Sequence, residues 1–129
     1  MAAKANTSGA PLVFIVDDDG SVRRSTERLV RSLGMRAESF ASAQDLLSSG
    51  RAAEAACLIL DVRMPNMDGL ELQRLLSETE QRIPAIFVSG RATKEEEDRA
   101  LRSGAVAFLR KPVGKDALLS VIRRAVEQE

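Results

Sequence analysis

The sequence predicts an α/β fold in which a parallel sheet is covered by helices on both faces. The first observation is a set of short apolar runs that do not alternate with polar residues, as expected for strands buried on both faces. The second is that amphipathic helical patterns separate these runs, so that a helix follows each strand. The third is size, because 129 residues with 44% hydrophobic content suit one domain with one substantial core.

Four strands are predicted from continuous apolar runs and one from an alternating run. The continuous runs are LVFIV (12–16), CLILDV (57–62), AIFVS (85–89) and VAFL (106–109). The alternating run, MRAESF (35–40), is typical of a strand at the edge of a sheet.

Five helices are predicted from apolar residues that recur at helical spacing. They cover residues 21–34, 42–47, 68–78, 93–104 and 114–129. Ser42 and Thr93 are the predicted N-caps of the second and fourth helices. The fourth helix offers little except Ala100 and Leu101 for burial, so we expect it to be the most loosely held of the five.

Five strands that alternate with five helices predict right-handed crossovers and a three-layer sandwich. At this length the natural arrangement is the flavodoxin-like sheet with strand order 2-1-3-4-5. Residues 11–129 are predicted to form this single domain. Residues 1–10 consist mainly of small and polar residues and are predicted to be a disordered leader.

Composition excludes several classes of function. Lysine plus arginine and aspartate plus glutamate number 19 each, so no basic excess favours binding to nucleic acid or a membrane surface. The chain has no histidine, which excludes histidine acid–base catalysis and histidine metal ligands within it. One cysteine, Cys57, allows no internal disulfide, and no apolar run is long enough to span a bilayer. We therefore expect a cytoplasmic protein that does not contact membranes.

Charged and polar side chains follow the predicted strands where each strand ends. The first strand is followed by Asp17, Asp18 and Asp19, the third ends in Asp61, and the fourth ends in Ser89. Lys111 follows the fifth strand, just before Pro112. Because ligands of open parallel sheets bind beyond the carboxyl ends of the strands, these groups should converge on one edge.

This set of residues constrains the chemistry. Crowded carboxylates repel one another, and one of them would take up a proton unless a cation lies among them. Oxygen ligands without histidine or cysteine favour a hard cation, and Mg²⁺ is the expected one. A carboxylate beside such an ion can attack phosphorus, while Lys111 and Ser89 hold the other phosphoryl oxygens. Read alone, Asp17 to Asp19 could instead be a solvated turn that caps a helix.

Four motifs together resemble the receiver domain of bacterial two-component response regulators, and their sequences are most similar to the FixJ-like subgroup. They are VFIVDDDGSVRRS, LILDVRMPNMDGLEL, IFVSGRA and GAVAFLRKPV. The resemblance covers residues 12 to about 126. The sequence departs from the subgroup in the loop after the fourth strand, which reads GRATKEEED, and in Val113 after the Lys-Pro pair.

The resemblance implies a role for each site residue. Asp61 would be the phosphoacceptor, with Lys111 as the phosphate-binding lysine. Ser89 would be the switch hydroxyl and Phe108 the switch aromatic. The acidic pocket and the ligands of Mg²⁺ would be Asp17, Asp18, Asp61 and the backbone carbonyl of Arg63. The Lys111–Pro112 peptide bond is usually cis in this family.

The expected function is therefore a phosphorylation switch. A partner sensor histidine kinase would phosphorylate Asp61, and the surface of the fourth helix, fifth strand and fifth helix would change shape, with a transcriptional output. Such a chain promotes its own phosphorylation and dephosphorylation without being an enzyme in the ordinary sense. We expect a homodimer that depends on phosphorylation and no binding of nucleic acid through this chain alone.

Two other functions stay open at this point. One is an aspartate-nucleophile phosphatase that uses Mg²⁺, although such enzymes carry a second acid where this chain has Arg63. The other is an interaction module that has the fold but no longer accepts phosphate. Because no effector domain follows the last helix, the chain is expected to be either a single-domain regulator or part of a longer transcription factor.

Overall fold

A computed structural model describes residues 9–79 and 82–127. Residues 1–8, which belong to the predicted leader, lie outside the described residues. Five parallel strands form one sheet in the order β2-β1-β3-β4-β5, which confirms the predicted fold class. The strands are β1 (Leu12–Val16), β2 (Arg36–Phe40), β3 (Cys57–Asp61), β4 (Ala85–Ser89) and β5 (Ala107–Arg110).

Five α-helices alternate with these strands. They are α1 (Gly20–Ser32), α2 (Ala43–Ser49), α3 (Gly69–Glu78), α4 (Lys94–Arg102) and α5 (Lys115–Glu127). A short 3-10 helix, Ala52–Glu54, precedes β3. Among the described residues, no helix combines the length and the apolar character needed to cross a bilayer.

The core consists of two apolar layers, one on each face of the sheet. Phe14, Leu58 and Phe87 belong to the layer that α2, α3 and α4 cover. Ile15, Ile59 and Ile86 belong to the layer that α1 and α5 cover. Because β1, β3 and β4 bury successive residues on both faces, their sequences are continuously apolar, as the pattern predicted. Cys57 is fully buried in this central part of the sheet.

The two edge strands differ from the central three. The alternating run at β2 does form an edge strand. The apolar run at residues 106–109 was expected to be buried on both faces, but β5 is the other edge of the sheet, and its residues 107–109 are only half-buried. The strand also lies one residue later than predicted, because Val106 precedes the ladder.

The helix starts follow from capping side chains. Ser42 Oγ accepts from the Asp45 backbone N–H at 3.0 Å, and Thr93 Oγ1 accepts from the Glu96 backbone N–H at 3.1 Å, so both predicted caps are confirmed. Asp19 caps α1 in the same way, accepting from the backbone N–H groups of Ser21 and Val22. The alternative interpretation of Asp17 to Asp19 as a turn that caps a helix is therefore correct for Asp19.

The fourth helix buries less apolar surface than predicted. Ala100 is fully buried, but Leu101 is 44% exposed, and the prediction that both would be buried is wrong for Leu101. With one alanine as its buried residue, α4 is held by polar contacts at its first turns. Arg110 of β5 donates to the Ala92 carbonyl at 2.8 Å and to Glu97 Oε1 at 3.0 Å.

Candidate functional site

The end of β1 supplies two carboxylates with different surroundings. Asp17 is buried, with 4% of its surface exposed, and its Oδ1 accepts from the Asp19 backbone N–H at 2.9 Å. Asp18 is exposed, so its carboxylate faces solvent at the mouth of the site. Arg23 of α1 donates to the Asp17 backbone carbonyl at 2.9 Å, which ties the start of α1 to this strand end.

The end of β3 supplies Asp61, which is 7% exposed. Its Oδ1 accepts from the Arg63 backbone N–H at 3.1 Å, so the loop after β3 turns back over the carboxylate. Gly69, the first residue of α3, packs directly against the backbone of Asp61. A Cβ at Gly69 would lie 2.4 Å from the Asp61 backbone oxygen. Sequence reasoning did not identify Gly69, which fixes the distance between α3 and the strand end.

Lys111 joins the two buried carboxylates. Its Nζ lies 3.0 Å from Asp17 Oδ2 and 3.0 Å from Asp61 Oδ2. The Lys111 backbone N–H donates to the Ser89 carbonyl at 3.1 Å, and the Lys111–Pro112 peptide bond is cis. The ends of β1, β3 and β5, which are far apart in sequence, therefore meet through one ammonium group.

The electrostatics of the site depend on this ammonium group. Burial raises the pKa of Asp61, and the charge of Asp17 raises it further, whereas the hydrogen bond from Lys111 lowers it. Burial alone would lower the pKa of Lys111, but the hydrogen bonds to Asp17 and Asp61 outweigh it and the pKa is raised. Lys111 is thus positively charged at neutral pH, and one cation is shared by two buried acids.

Three carboxylates are close enough to share a metal ion. Ligand oxygens of Asp17, Asp18 and Asp61 all lie within 4.8 Å of one another. The group offers oxygen ligands only, carries more negative charge than Lys111 neutralises, and is open to solvent on the Asp18 side, which suits a hard divalent cation that keeps bound waters. The Arg63 backbone lies beside Asp61, so its carbonyl stays a candidate fourth ligand.

The two other predicted residues lie on the neighbouring strands. Ser89 ends β4 and is 1% exposed, and its Oγ accepts from the Arg91 backbone N–H at 3.2 Å. Phe108 lies on β5 opposite Phe87 and is half-buried against the layer under α4. The Arg110 guanidinium stacks over the Phe108 ring, 5.4 Å from its centroid. Ser89 thus ends the strand beside Asp61, whereas Phe108 lies farther along the sheet, towards α4.

A further contact links the loop after β3 to α4. Arg63 donates from Nη2 to Glu96 Oε1 at 3.0 Å and from Nε to the same oxygen at 3.3 Å. This oxygen also accepts from the Thr93 backbone N–H at 2.9 Å. The Thr93 backbone hydrogen bond is the largest of the effects that lower the pKa of Glu96, and Arg63 adds to it. Sequence reasoning missed this pair, because 33 positions separate its members.

A groove leads to the site from the side of α1 and α5. It has a volume of about 450 Å³ and ends at Asp17, Asp61 and Lys111. Apolar side chains of α1, of the sheet and of the segment after Pro112 form most of its lining, among them Val22, Leu29, Ile59, Val113 and Leu118. Asp61 therefore lies at the end of an apolar groove on this side of the molecule.

Comparisons with known proteins found a matching family model and similar proteins. The family model described as "Response regulator receiver domain" matches residues 13–123. The response regulator protein TodT of Pseudomonas putida (strain F1) is 42% identical over 118 residues, which are 92% of this chain and 52% of TodT. Nodulation protein W of Bradyrhizobium diazoefficiens is 40% identical over 118 residues, again 92% of this chain and 52% of that protein. The chain thus spans about half the length of these curated relatives.

Solved structures resemble the chain along nearly its whole length. The crystal structure of FixJ-N matches with a TM-score of 0.83 at 32% identity, covering 92% of this chain and 95% of that one. The low-resolution structure of the response regulator StyR matches with a TM-score of 0.81 at 40% identity, covering 92% of this chain and 60% of that one.

Proposed function

Because this chain belongs to the response regulator receiver domain family, we propose that Asp61 accepts a phosphoryl group and that the domain then passes on a signal. Receiver domains of response regulators are phosphorylated by sensor histidine kinases and act as signalling switches. The observation that carries the assignment is the position of Lys111, whose Nζ lies 3.0 Å from Asp61 Oδ2 and equally close to Asp17 Oδ2. An ammonium group at that point can hold a phosphoryl oxygen as soon as one arrives.

The acidic residues are proposed to hold Mg²⁺. Asp17, Asp18, Asp61 and the Arg63 carbonyl would be its ligands, and the close approach of the three carboxylates supports this. When bound, the ion supplies positive charge that neutralises the carboxylates and the phosphoryl oxygens. Lys111 supplies the second positive charge, and while it is bound to Asp17 its hydrogen bond to Asp61 orients that carboxylate for attack.

The proposed reaction is the transfer of a phosphoryl group between two nucleophiles. An Asp61 carboxylate oxygen forms a bond to phosphorus while the bond from phosphorus to the donor's histidine nitrogen breaks. The electron pair of that bond stays on the nitrogen, which takes a proton from solvent. Lys111 and the Ser89 hydroxyl then bind the phosphoryl oxygens, so this chain assists its own phosphorylation. Attack by water on the same phosphorus breaks its bond to the Asp61 oxygen, which releases inorganic phosphate and returns the free carboxylate.

The switch is proposed to run from Ser89 to the surface of α4, β5 and α5. In the described structure Ser89 Oγ accepts from the Arg91 N–H, and its O–H would donate to a phosphoryl oxygen once one is present. Phe108 is half-buried and lies between the sheet and α4, so inward movement of its ring would alter this surface. Partner docking or formation of a homodimer through this surface would carry the signal.

A transcriptional output is supported by the names of related proteins. One relative is the C4-dicarboxylate transport transcriptional regulatory protein DctD of Rhizobium meliloti, 37% identical over 94% of this chain and 26% of that protein. Equal numbers of basic and acidic residues give this chain no excess positive charge, so we propose that it does not itself bind DNA. We also propose that the protein is cytoplasmic, as response regulators generally are.

The test is phosphorylation of the purified protein by acetyl phosphate with Mg²⁺, followed by intact mass measurement. We expect a single phosphoryl adduct on the wild type and none on Asp61→Asn, with unchanged far-ultraviolet circular dichroism. Asp116→Asn, at an exposed position in the first turn of α5, is the matched control and should be labelled like the wild type. Labelling of Asp61→Asn would refute the assignment of the acceptor.

This labelling, together with an assay of phosphomonoester hydrolysis, separates the alternatives. Turnover of many phosphomonoesters would indicate the phosphatase, and the absence of any adduct would indicate the inert module. The phosphatase needs an acid two residues after the nucleophile, and here that residue is Arg63, whose guanidinium is bound to Glu96. Arginine cannot act as the general acid–base that such an enzyme needs at this position, which argues against the phosphatase.

A further inference from the structure

Arg63 contacts the candidate acceptor and the fourth helix at the same time. Its backbone N–H donates to Asp61 Oδ1 at 3.1 Å, while its guanidinium donates to Glu96 Oε1 from two nitrogens, at 3.0 and 3.3 Å. Half of the Arg63 side chain is exposed, against 23% of that of Glu96. In the resting state the Arg63 side chain is therefore held by a carboxylate on α4, while the Arg63 backbone is hydrogen-bonded to the candidate acceptor.

Glu96 has two roles that can be separated chemically. Its side chain accepts from the Thr93 N–H at 2.9 Å while Thr93 Oγ1 accepts from the Glu96 N–H, which is a complete capping box at the start of α4. Glutamine can replace glutamate in a capping box, because only an acceptor oxygen is needed. The contact with Arg63, by contrast, is an ion pair and depends on the negative charge.

We propose that Glu96 is a positioning residue that holds the Arg63 guanidinium towards α4, and that a phosphoryl group on Asp61 competes with Glu96 for it. The inference rests on the proposed function, because it needs a phosphoryl group at Asp61. A phosphoryl group carries up to two negative charges and offers several oxygens to a guanidinium, whereas Glu96 offers one oxygen that already accepts from Thr93. The phosphorylated state therefore attracts Arg63 more strongly than the resting state does.

Competition of this kind couples the site to α4 in both directions. When Arg63 turns to the phosphoryl group, α4 keeps its capping box and stays helical, but it loses its link to the loop after β3. Conversely, removing the charge of Glu96 frees Arg63 to lie across the phosphoryl group, where it fills space that an attacking water needs. Glu96 would thus set the lifetime of the phosphorylated state without touching the reacting atoms.

The test is the decay of the purified phosphoprotein at fixed pH and Mg²⁺, followed by intact mass. We expect Glu96→Gln to lengthen the half-life by about two- to fivefold, the range expected from an ion pair that is only partly shielded from solvent. Glu95→Gln removes the same charge from the same turn of α4 and has no ion pair among the described residues. It should decay like the wild type, which separates the pair from general charge effects.

A double-mutant cycle identifies Arg63 as the mediator. In an Arg63→Ala background, Glu96→Gln should leave the half-life unchanged, because no guanidinium remains to be released. Glu96→Asp, which keeps the charge, should restore part of the wild-type decay. A role of Glu96 in capping alone predicts that Glu96→Gln leaves the half-life unchanged in both backgrounds, because glutamine keeps the acceptor oxygen.

Hydrogen exchange gives a readout that does not depend on decay. Phosphorylation of the wild type should speed amide exchange in the first turns of α4, and Glu96→Gln should do so without phosphorylation. If the wild type forms an adduct but Glu96→Gln decays at the wild-type rate, this inference alone is wrong. If the wild type forms no adduct, the proposed function fails, and the competition fails with it.

Discussion

At the residue scale, Gly69 determines how closely α3 approaches the end of β3. A methyl group there would lie 2.4 Å from the Asp61 backbone oxygen and 3.0 Å from the Phe87 ring. Neither neighbour is the flexible end of a side chain, so the backbone itself would have to move. The motif MDG that follows Asp61 therefore has a steric reason, which periodicity and charge could not indicate.

We predict that Gly69→Ala lowers the free energy of unfolding by about 1–3 kcal/mol, the usual range for overpacking a tight site. It should also slow phosphorylation, because the Asp61 carboxylate moves with its backbone. Urea denaturation and the initial rate of labelling by acetyl phosphate measure the two effects.

Gly114→Ala is the control, since no atom lies within 4 Å of a methyl group at that position. It should stay within about 1 kcal/mol of the wild type. Equal stability of the two variants would show that the loop adapts without cost and that the steric argument is wrong.

At the residue scale, the sequence predicted the contacts that follow from a general rule of the fold and missed those that do not. Asp17, Asp61 and Lys111 follow strands, and the rule that parallel strands end at one edge brings them together. The pair of Arg63 and Glu96 obeys no such rule, because it depends on how far the loop after β3 extends towards α4.

At the scale of elements, α4 and α5 differ in how they are attached to the sheet. Its buried residue is Ala100, whereas α5 buries Leu118, Val121, Ile122 and Ala125. Its first turns are bound through Arg63 to Glu96 and through Arg110 to Glu97, and both are ion pairs with partly exposed members. Because salt screens ion pairs but not apolar contacts, the attachment of α4 should weaken as the salt concentration rises.

We predict that amide exchange in α4 becomes faster by about two- to fivefold between 0.1 and 1 M NaCl, because the screening length falls from about 10 Å to about 3 Å over that range. Exchange in α5 is the internal control and should change little. The measurement is hydrogen exchange by mass spectrometry on the unphosphorylated protein. An equal change in both helices would indicate a general effect of salt on stability.

The strands and helices themselves were predictable because the spacing of apolar residues in each sequence reflects which of its faces are buried. Continuous apolar runs identified the central strands, and capping residues identified the starts of α2 and α4. The two errors about burial share one cause. The predicted strand order already placed strand 5 at an edge, but apolar residues alone did not show how much of β5 and of Leu101 their neighbours would leave exposed.

At the scale of the whole molecule, the described residues expose two large apolar side chains, Leu47 on α2 and Leu101 on α4. Leu101 lies on the surface that the proposed switch would alter, together with β5. Leu47 lies on a helix next to the opposite edge of the sheet. These two residues therefore make a matched pair for testing self-association.

We predict that phosphorylation promotes a dimer and that Leu101→Glu weakens it by about tenfold or more, as expected for an apolar contact near the centre of an interface. Leu47→Glu should associate like the wild type. Sedimentation velocity with and without the phosphoryl group measures the change. A wild type that is monomeric in both states would remove self-association and leave docking to a different partner.

The burial of Cys57 has a practical consequence for measurement. The chain has no tryptophan, no tyrosine and no second cysteine, and Cys57 is fully enclosed within β3. A thiol-reactive dye should therefore attach to a cysteine introduced at position 101 and leave the native thiol untouched. The protein is thus nearly silent in fluorescence and accepts one reporter at one chosen place, so that the response of α4 could be followed in real time without rebuilding the molecule first.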